Sequence, residues 1–568
     1  MTAAATWFGP DERPLFGWLH VPEHGRARGA VVLCPPLGLE RVCAHRTFRH
    51  LADRLALAGI AALRFDYDGT GDSAGAQDDP GRVAAWVESV GHAIDEVRRA
   101  GAARVVVVGM RMGATVAAGR LAAGEKVDGL VLWDPCASGR TYLREQQALG
   151  LFSLGAAAGD DGSVEVPGIV YQRDTVQELG ALSIAATEGR LAERVLVLAR
   201  PDRPTNKAMR ERLEGDGVEW GEASGQSALV DVEPFEAVQP DEAVDTVVTW
   251  VSDAVGSSSP TVALTAVVRT EAVVARDAGG DAVVERIEGL GELGLFGVVT
   301  EPPGPPAART VILLNAGVMD HVGPARLWVD FARRWAAGGV RVLRFDLSGL
   351  GDSPVRAGQR PDLAYPPEAF DDMATVIAAM GGARRVVLTG LCSGGYHAIE
   401  GAISLGVRHV CVINPILTAS PSEIRVDGAA VGAAEVDPRR QATTARRRWV
   451  RALPAHDLLG GIVDRLPDPA WWLINKVAVA SPPGRIIERL VGDGVDTYVV
   501  CGDREARVMR RGQAAAFRRL TRTGRFHLEV MPGIDHELFA RVSRDRVGPV
   551  VTERILISAA RTVPADRV

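Results

Sequence analysis

The chain has 568 residues, 47% of them hydrophobic and 24% charged, with a formal net charge of −7. That length exceeds what one hydrophobic core supports and fits two domains, and the acidic balance argues against non-specific nucleic-acid binding. No run of 18 apolar residues suggests a membrane span, and the N-terminal stretch Met1-Thr2-Ala3-Ala4-Ala5-Thr6-Trp7 lacks the basic and apolar regions of a signal peptide. The six cysteines, Cys34, Cys43, Cys136, Cys392, Cys411 and Cys501, form no CxxC pair. A cytoplasmic protein without disulfides, metal site or cofactor is the expectation.

In chain order, the first half presents Leu15-Phe16-Gly17, then Leu63-Arg64-Phe65-Asp66 followed by Gly69-Thr70-Gly71-Asp72-Ser73, then Gly109-Met110-Arg111-Met112-Gly113 and Asp134-Pro135. A Gly/Ser/Pro-rich stretch, 252–260, reads as a linker. The series then returns about 280 residues later. Leu295-Phe296-Gly297 is followed by Leu343-Arg344-Phe345-Asp346, by Gly349-Leu350-Gly351-Asp352-Ser353, by Gly390-Leu391-Cys392-Ser393-Gly394 and by Asn414-Pro415. A period this long means a duplicated domain, with halves 1–255 and 261–568.

Within the second half, apolar runs at 310–314, 340–345, 385–389, 409–413, 497–500 and 527–530 predict strands, and 325–337 predicts a helix between two of them. Unbroken Val/Ile/Leu runs alternating with helical stretches indicate a mostly parallel sheet covered on both faces. The fold class is therefore α/β, in two tandem domains. The insertion 416–490 is expected to form a cap.

Gly390-Leu391-Cys392-Ser393-Gly394, placed between a strand and a helix, together with the repeated Arg-Phe-Asp and Gly-x-Gly-Asp-Ser blocks, resembles the α/β-hydrolase superfamily over nearly the whole chain, twice. The second half is similar to the serine aminopeptidase-like hydrolases that accompany bacterial exosortase systems, the first half to a sister group. A similar GxCxGG occurs in dienelactone hydrolases, and polyhydroxyalkanoate synthases also place cysteine in a lipase-like box. The resemblance implies a nucleophile elbow, a tight strand-to-helix turn that presents the central side chain. At a helix N-terminus, Cys392 is favoured as a thiolate.

A cysteine nucleophile needs a base, an orienting acid and oxyanion donors. His536, in Pro532-Gly533-Ile534-Asp535-His536 after the last strand, stands where the resemblance puts the base. The acid belongs after the seventh strand, in Gly502-Asp503-Arg504-Glu505. Family spacing favours Glu505 over Asp503, and Asp535 reads as structural. Oxyanion donors are expected from the backbone of Ser393 and of the loop containing Gly317 and Val318. His321 is a candidate lining residue, as are Arg448 and Trp449 in the Arg-rich segment of the cap. Those arginines suit phosphates of coenzyme A or a phosphopantetheine carrier, with a solvated helix face as the competing reading.

The first half has Arg111 at the nucleophile position, and arginine cannot act as one. Its stretch Ser224-Gly225-Gln226-Ser227-Ala228 holds no histidine. It reads as a degenerate domain in which Arg111 either binds an anion or forms a buried salt bridge with Asp134 or Asp202. The leading expectation is a thiol-dependent hydrolase of a small-molecule ester or thioester. An acyltransferase is the alternative, and a non-catalytic scaffold the second.

Overall fold

Runs such as Val105-Val106-Val107-Val108 are apolar on both faces, and every residue of them is buried. Such strands are stable only inside a sheet covered on both sides. The structure is a computed structural model and describes residues 1–154, 161–256, 259–265, 267–417 and 483–561. The first half forms an eight-stranded sheet: β1 (Thr2–Phe8), β2 (Leu15–Val21), β3 (Ala30–Cys34), β4 (Ala61–Phe65), β5 (Val105–Met110), β6 (Gly129–Trp133), β7 (Arg194–Ala199) and β8 (Val218–Glu222). Their spatial order is β1-β2-β4-β3-β5-β6-β7-β8. All neighbours from β4 onward are parallel, and β1 and β2 are antiparallel additions.

The second half repeats this plan in nine strands: β9 (Glu271–Arg276), β10 (Ala282–Leu290), β11 (Leu295–Glu301), β12 (Thr310–Leu313), β13 (Val342–Phe345), β14 (Val386–Leu391), β15 (His409–Ile413), β16 (Asp496–Gly502) and β17 (Phe526–Met531). The order is β9-β10-β11-β13-β12-β14-β15-β16-β17. The helix Leu327–Ala337 occupies the predicted stretch 325–337 except for its first turn, which is a 3-10 turn at Pro324–Arg326. The linker is shorter than expected, because the helix Asp241–Val255 runs on past Ser252. Val244, Val247 and Val251 hold that helix against the first sheet. Of the expected cap 416–490, the described end is the helix Pro483–Gly492, which buries Ile486, Ile487 and Leu490 in the core of the second half. Most of the insertion lies outside the described residues.

The two repeated motifs have one physical task in each half. The glycine-rich loop folds over the aspartate that ends the strand. Asp72 N–H donates to Asp66 Oδ2 at 3.1 Å and Asp352 N–H to Asp346 Oδ2 at 2.9 Å. Ser73 and Ser353 each receive the amide of the motif phenylalanine, Phe16 and Phe296, at 2.9 Å. Gly71 and Gly351 sit at φ +48° and +47°, where a Cβ would fall 2.0 Å and 2.2 Å from the carboxylate beneath, so no other residue fits.

These loops also join the halves. Arg64 donates to Asp352 at 2.8 Å, and its repeat equivalent Arg344 donates to Asp72, so the contact is reciprocal in the manner of a two-fold dimer. Phe16 and Phe296 meet at 6.2 Å between ring centres, and Trp18 lies 4.9 Å from Phe296. Trp7, Phe16, Val283, Phe296 and Val298 form a core shared by both halves.

Arg344 is fully buried and also donates to Glu285 at 2.9 Å. Removing one partner of a buried ion pair leaves an uncompensated charge. Arg344→Met is predicted to lower the stability of the full chain by about 3 kcal/mol, read by urea denaturation. A loss below about 1 kcal/mol, the range of exposed pairs, contradicts this assignment.

Candidate active site

β12 and β14 are hydrogen-bonded neighbours on either side of the point where strand order reverses, so the loops leaving their C-terminal ends lie side by side. Crevices at that point are where open α/β sheets bind ligands. The turn after β14 is tight. A Cβ on Gly390 would fall 2.2 Å from the Gly394 backbone, and one on Gly394 would fall 2.6 Å from Asn315 O. Cys392 between them takes φ 56° and ψ −117°, and caps the helix Ser393–Leu405. A non-glycine residue in that region is strained, and here the strain lifts the thiol clear of the sheet. Of the six cysteines Cys392 is half-buried and the other five are buried. Burial pushes the thiols of Cys43, Cys411 and Cys501 up to about 12.

His536 and Glu505 come from the loops after β17 and β16. His536 Nδ1–H donates to Glu505 Oε1 at 3.2 Å. Burial disfavours the charged ring, but the Cys392 thiol and the Glu505 carboxylate outweigh it and push His536 up to about 10. The hydrogen bond from His536 holds Glu505 below the usual carboxylate range. Among the described residues, Nε2 of His536 is buried with no partner of ordinary hydrogen-bond geometry, a looseness common in catalytic sites without substrate. Asn414 braces both loops: its Nδ2 donates to His536 O at 2.8 Å, and its Oδ1 accepts from Gly502 N–H at 2.9 Å.

Asp503 is turned away from His536. Its carboxylate is exposed, accepts from Gly533 N–H at 3.1 Å and pairs with Arg507, which leaves Glu505 as the carboxylate on the imidazole. Asp535 accepts from Phe539 N–H and Ala540 N–H, a structural placement. Ser393 is buried, and its Oγ accepts from Gly317 N–H at 2.8 Å, which pins the loop after β12 to the elbow. Val318, next in that loop, is half-buried.

His321 does not line the site. It is 2% exposed, with Nε2–H donating to Asp72 at 2.6 Å and Nδ1–H to Asp346 at 2.8 Å. Two carboxylates outweigh the cost of burial and raise it well above the usual histidine range. Arg448 and Trp449 lie outside the described residues, as do the neighbouring arginines.

Sequence reasoning missed an aromatic group beside the elbow. Tyr365 lies 5.5 Å from Tyr396 and 5.7 Å from His397 between ring centres, with Phe370 6.1 Å from His397 on another side. Burial raises the Tyr365 phenol, and the Cys392 side chain adds to the effect. Burial pushes His397 down to about 4, so it is neutral. The available signal was that Tyr396 and His397 open the elbow helix.

The first half keeps the elbow geometry, with Arg111 at the central position. Arg111 has φ 53° and ψ −122°, and a Cβ on Gly113 would fall 2.2 Å from Pro35 O. The guanidinium is 4% exposed and bonds to Glu40 at 3.1 Å and Glu145 at 2.5 Å, with Asp134 at 3.6 Å. Its donors are thus taken by the chain's own carboxylates, which corrects the anion-site reading. Asp202 pairs instead with Arg200.

His536 is favoured in its charged form by the fold, with its midpoint moved from 6.5 to about 10. Its contribution to stability is therefore complete below about pH 6.5 and lost as pH rises toward 10. The stability gap between wild type and His536→Gln, read by urea denaturation, is predicted to shrink across that window. A gap that widens with pH contradicts the assignment.

Comparison with known proteins agrees with the architecture. Residues 311–547 match the model of the alpha/beta hydrolase family, and residues 25–158 match that of serine aminopeptidase, S33. Among solved structures, Est1E from Butyrivibrio proteoclasticus is 14% identical, covering 44% of this chain and 99% of its own, with a TM-score of 0.35. The proline iminopeptidase of Mycobacterium smegmatis is 14% identical over 45% of this chain and 100% of its own, with a TM-score of 0.32. A soluble variant of the monoglyceride lipase of Saccharomyces cerevisiae is 14% identical over 46% and 97%, also at 0.32. No curated protein matches the chain. The two matched segments fall one in each half, and with the two large sheets they make the chain a tandem of two alpha/beta hydrolase domains.

Proposed function

We propose that the C-terminal half hydrolyses a small-molecule ester or thioester through an acyl-cysteine, while the N-terminal half carries out no chemistry of its own. The observation that supports this most directly is the convergence of three loops: a strained Cys392 at the elbow, with His536 and Glu505 hydrogen-bonded beside it. In this reading Cys392 Sγ attacks the substrate carbonyl carbon. His536 holds the thiol proton and passes it from Nε2 to the leaving alcohol or thiol as the tetrahedral intermediate collapses. Water then gives a proton to His536, attacks the acyl-cysteine and restores the thiol. Glu505 orients the imidazole and supports its positive charge. The developing oxyanion is held by the Ser393 amide and by the Val318 amide, since the Gly317 amide is given to Ser393 Oγ.

Incubation of the full chain with p-nitrophenyl acetate, followed by intact mass and peptide mapping, is predicted to show one acetyl group on Cys392. Cys392→Ala is expected to abolish the adduct, and Glu505→Gln to slow acylation by about 100-fold, the low end of the range for acid–base groups. Asp503→Asn should stay close to wild type. Release of the acyl group to water rather than to added amines identifies a hydrolase. An unmodified Cys392, or turnover that survives Cys392→Ala, contradicts the proposal.

A further inference from the structure

The first half reaches the second beside the loop expected to hold the oxyanion donors. Asp72, from the Gly-x-Gly-Asp-Ser loop of the first half, receives His321 Nε2–H at 2.6 Å. The other nitrogen of His321 binds Asp346 at 2.8 Å, and the second oxygen of Asp346 accepts from Asn315 Nδ2 at 2.9 Å. Asn315 Nδ2 also donates to Met319 O at 3.0 Å, and Asn315 Oδ1 accepts from Leu347 N–H at 2.9 Å. Asn315 and His321 thus bracket the segment that carries Gly317 and Val318, and one buried carboxylate, Asp346, holds both ends. A second tie from the first half, Arg41 to Asp320 at 3.2 Å, grips the residue next to His321. Asp72, Asp346, Asn315 and His321 are each no more than 2% exposed.

We infer that the N-terminal half is a built-in positioning domain: through Asp72 and His321 it fixes the Gly317–Val318 loop, and with it the oxyanion donors of the C-terminal half. This rests on the acyl-cysteine reading for its catalytic consequence, although the positioning itself does not. The repeat supplies the control. Arg64 and Arg344 are equivalent positions, and both make buried ion pairs across the interface. The Arg64 pair lies on Asp352 and His20 and does not bond to His321 or Asn315. An oxyanion donor matters to acylation, which develops charge on a carbonyl oxygen. It is irrelevant to alkylation of the same sulfur by iodoacetamide, where no oxyanion forms.

The test compares Asp72→Asn, His321→Gln and Arg64→Gln in the full chain, each checked for folding by circular dichroism. Two rates are measured at Cys392: acetylation by p-nitrophenyl acetate and alkylation by iodoacetamide. Amide hydrogen exchange of peptides spanning 314–322 is followed in parallel. Asp72→Asn and His321→Gln are expected to lower the acylation-to-alkylation ratio by about 10- to 100-fold, toward the loss of one oxyanion donor. Both should also speed exchange in 314–322, while Arg64→Gln leaves ratio and exchange within about two-fold of wild type. Unchanged exchange in both loop variants, or an equal effect of Arg64→Gln, overturns the inference. Faster exchange with an unchanged ratio overturns its catalytic part. Alkylation without any acylation in the wild type overturns the acyl-cysteine reading, and the exchange data then still decide the positioning. Should Asp72→Asn fail to fold, His321→Gln carries the same comparison.

Discussion

A buried carboxylate has to be paired, and this molecule is organised around four of them. Asp66 and Asp346 end equivalent strands and accept the amides of the loops folded over them, while Asp72 and Asp352, at the tips of those loops, take arginines from the opposite half. Taking such charges out of water is costly, and leaving one unpaired costs more than the pair itself contributes. Neither half can therefore leave the other without exposing or orphaning charge. The aromatic cluster of Trp7, Phe16, Trp18 and Phe296 packs against the same contact, with Phe296 4.8 Å from the His321 ring and Arg64 5.7 Å over the Trp18 ring.

That constraint explains what duplication kept and what it let go. The first half retains the turn at Arg111, with nearly the same backbone angles as Cys392. The tight strand-to-helix passage belongs to the sheet's packing, since neither Gly109 nor Gly113 has room for a Cβ. What fills the turn is free to change, and here a guanidinium is locked by Glu40 and Glu145. The interface motifs have no such freedom, since Asp72 serves Arg344 and His321 of the other half together. A half with Arg111 at its elbow is thus still tied to the other half through Asp72. Fold alone would not distinguish the two halves. The side chains at the elbow and in the loops after the last two strands do.

Much of this was legible in the chain. The parallel sheets follow from unbroken apolar runs such as 105–108 and 409–413, and the elbow from glycines whose positions admit no Cβ. The repeat spacing of about 280 residues matched equivalent strands without any structure. Other features were not legible, each for a physical reason. The repeated Arg-Phe-Asp and Gly-x-Gly-Asp-Ser blocks read as loop signatures, because their reciprocal pairing spans more than 270 residues. His321 looked like a pocket histidine for the same reason: Asp72 is 249 residues away. Asp503 and Glu505 are two residues apart on one short helix, and only its rotation turns Glu505 to His536 and Asp503 to Gly533. The group of Tyr365, Phe370, Tyr396 and His397 is drawn from separate segments with no common period. The edge strand Glu271–Arg276 has no counterpart among the described residues of the first half and so escaped a reading built on the repeat.

The account stands on Cys392 being an activated thiol among inert ones. Residue-resolved labelling of all six cysteines with limiting iodoacetamide near neutral pH, in wild type and in His536→Gln, addresses that directly. The account predicts that Cys392 takes nearly all the label, that the five buried thiols take almost none, and that His536→Gln slows Cys392 by about ten-fold or more, as loss of the paired imidazolium requires. Labelling of Cys392 at the same rate in wild type and His536→Gln, no faster than an unfolded thiol, would contradict it.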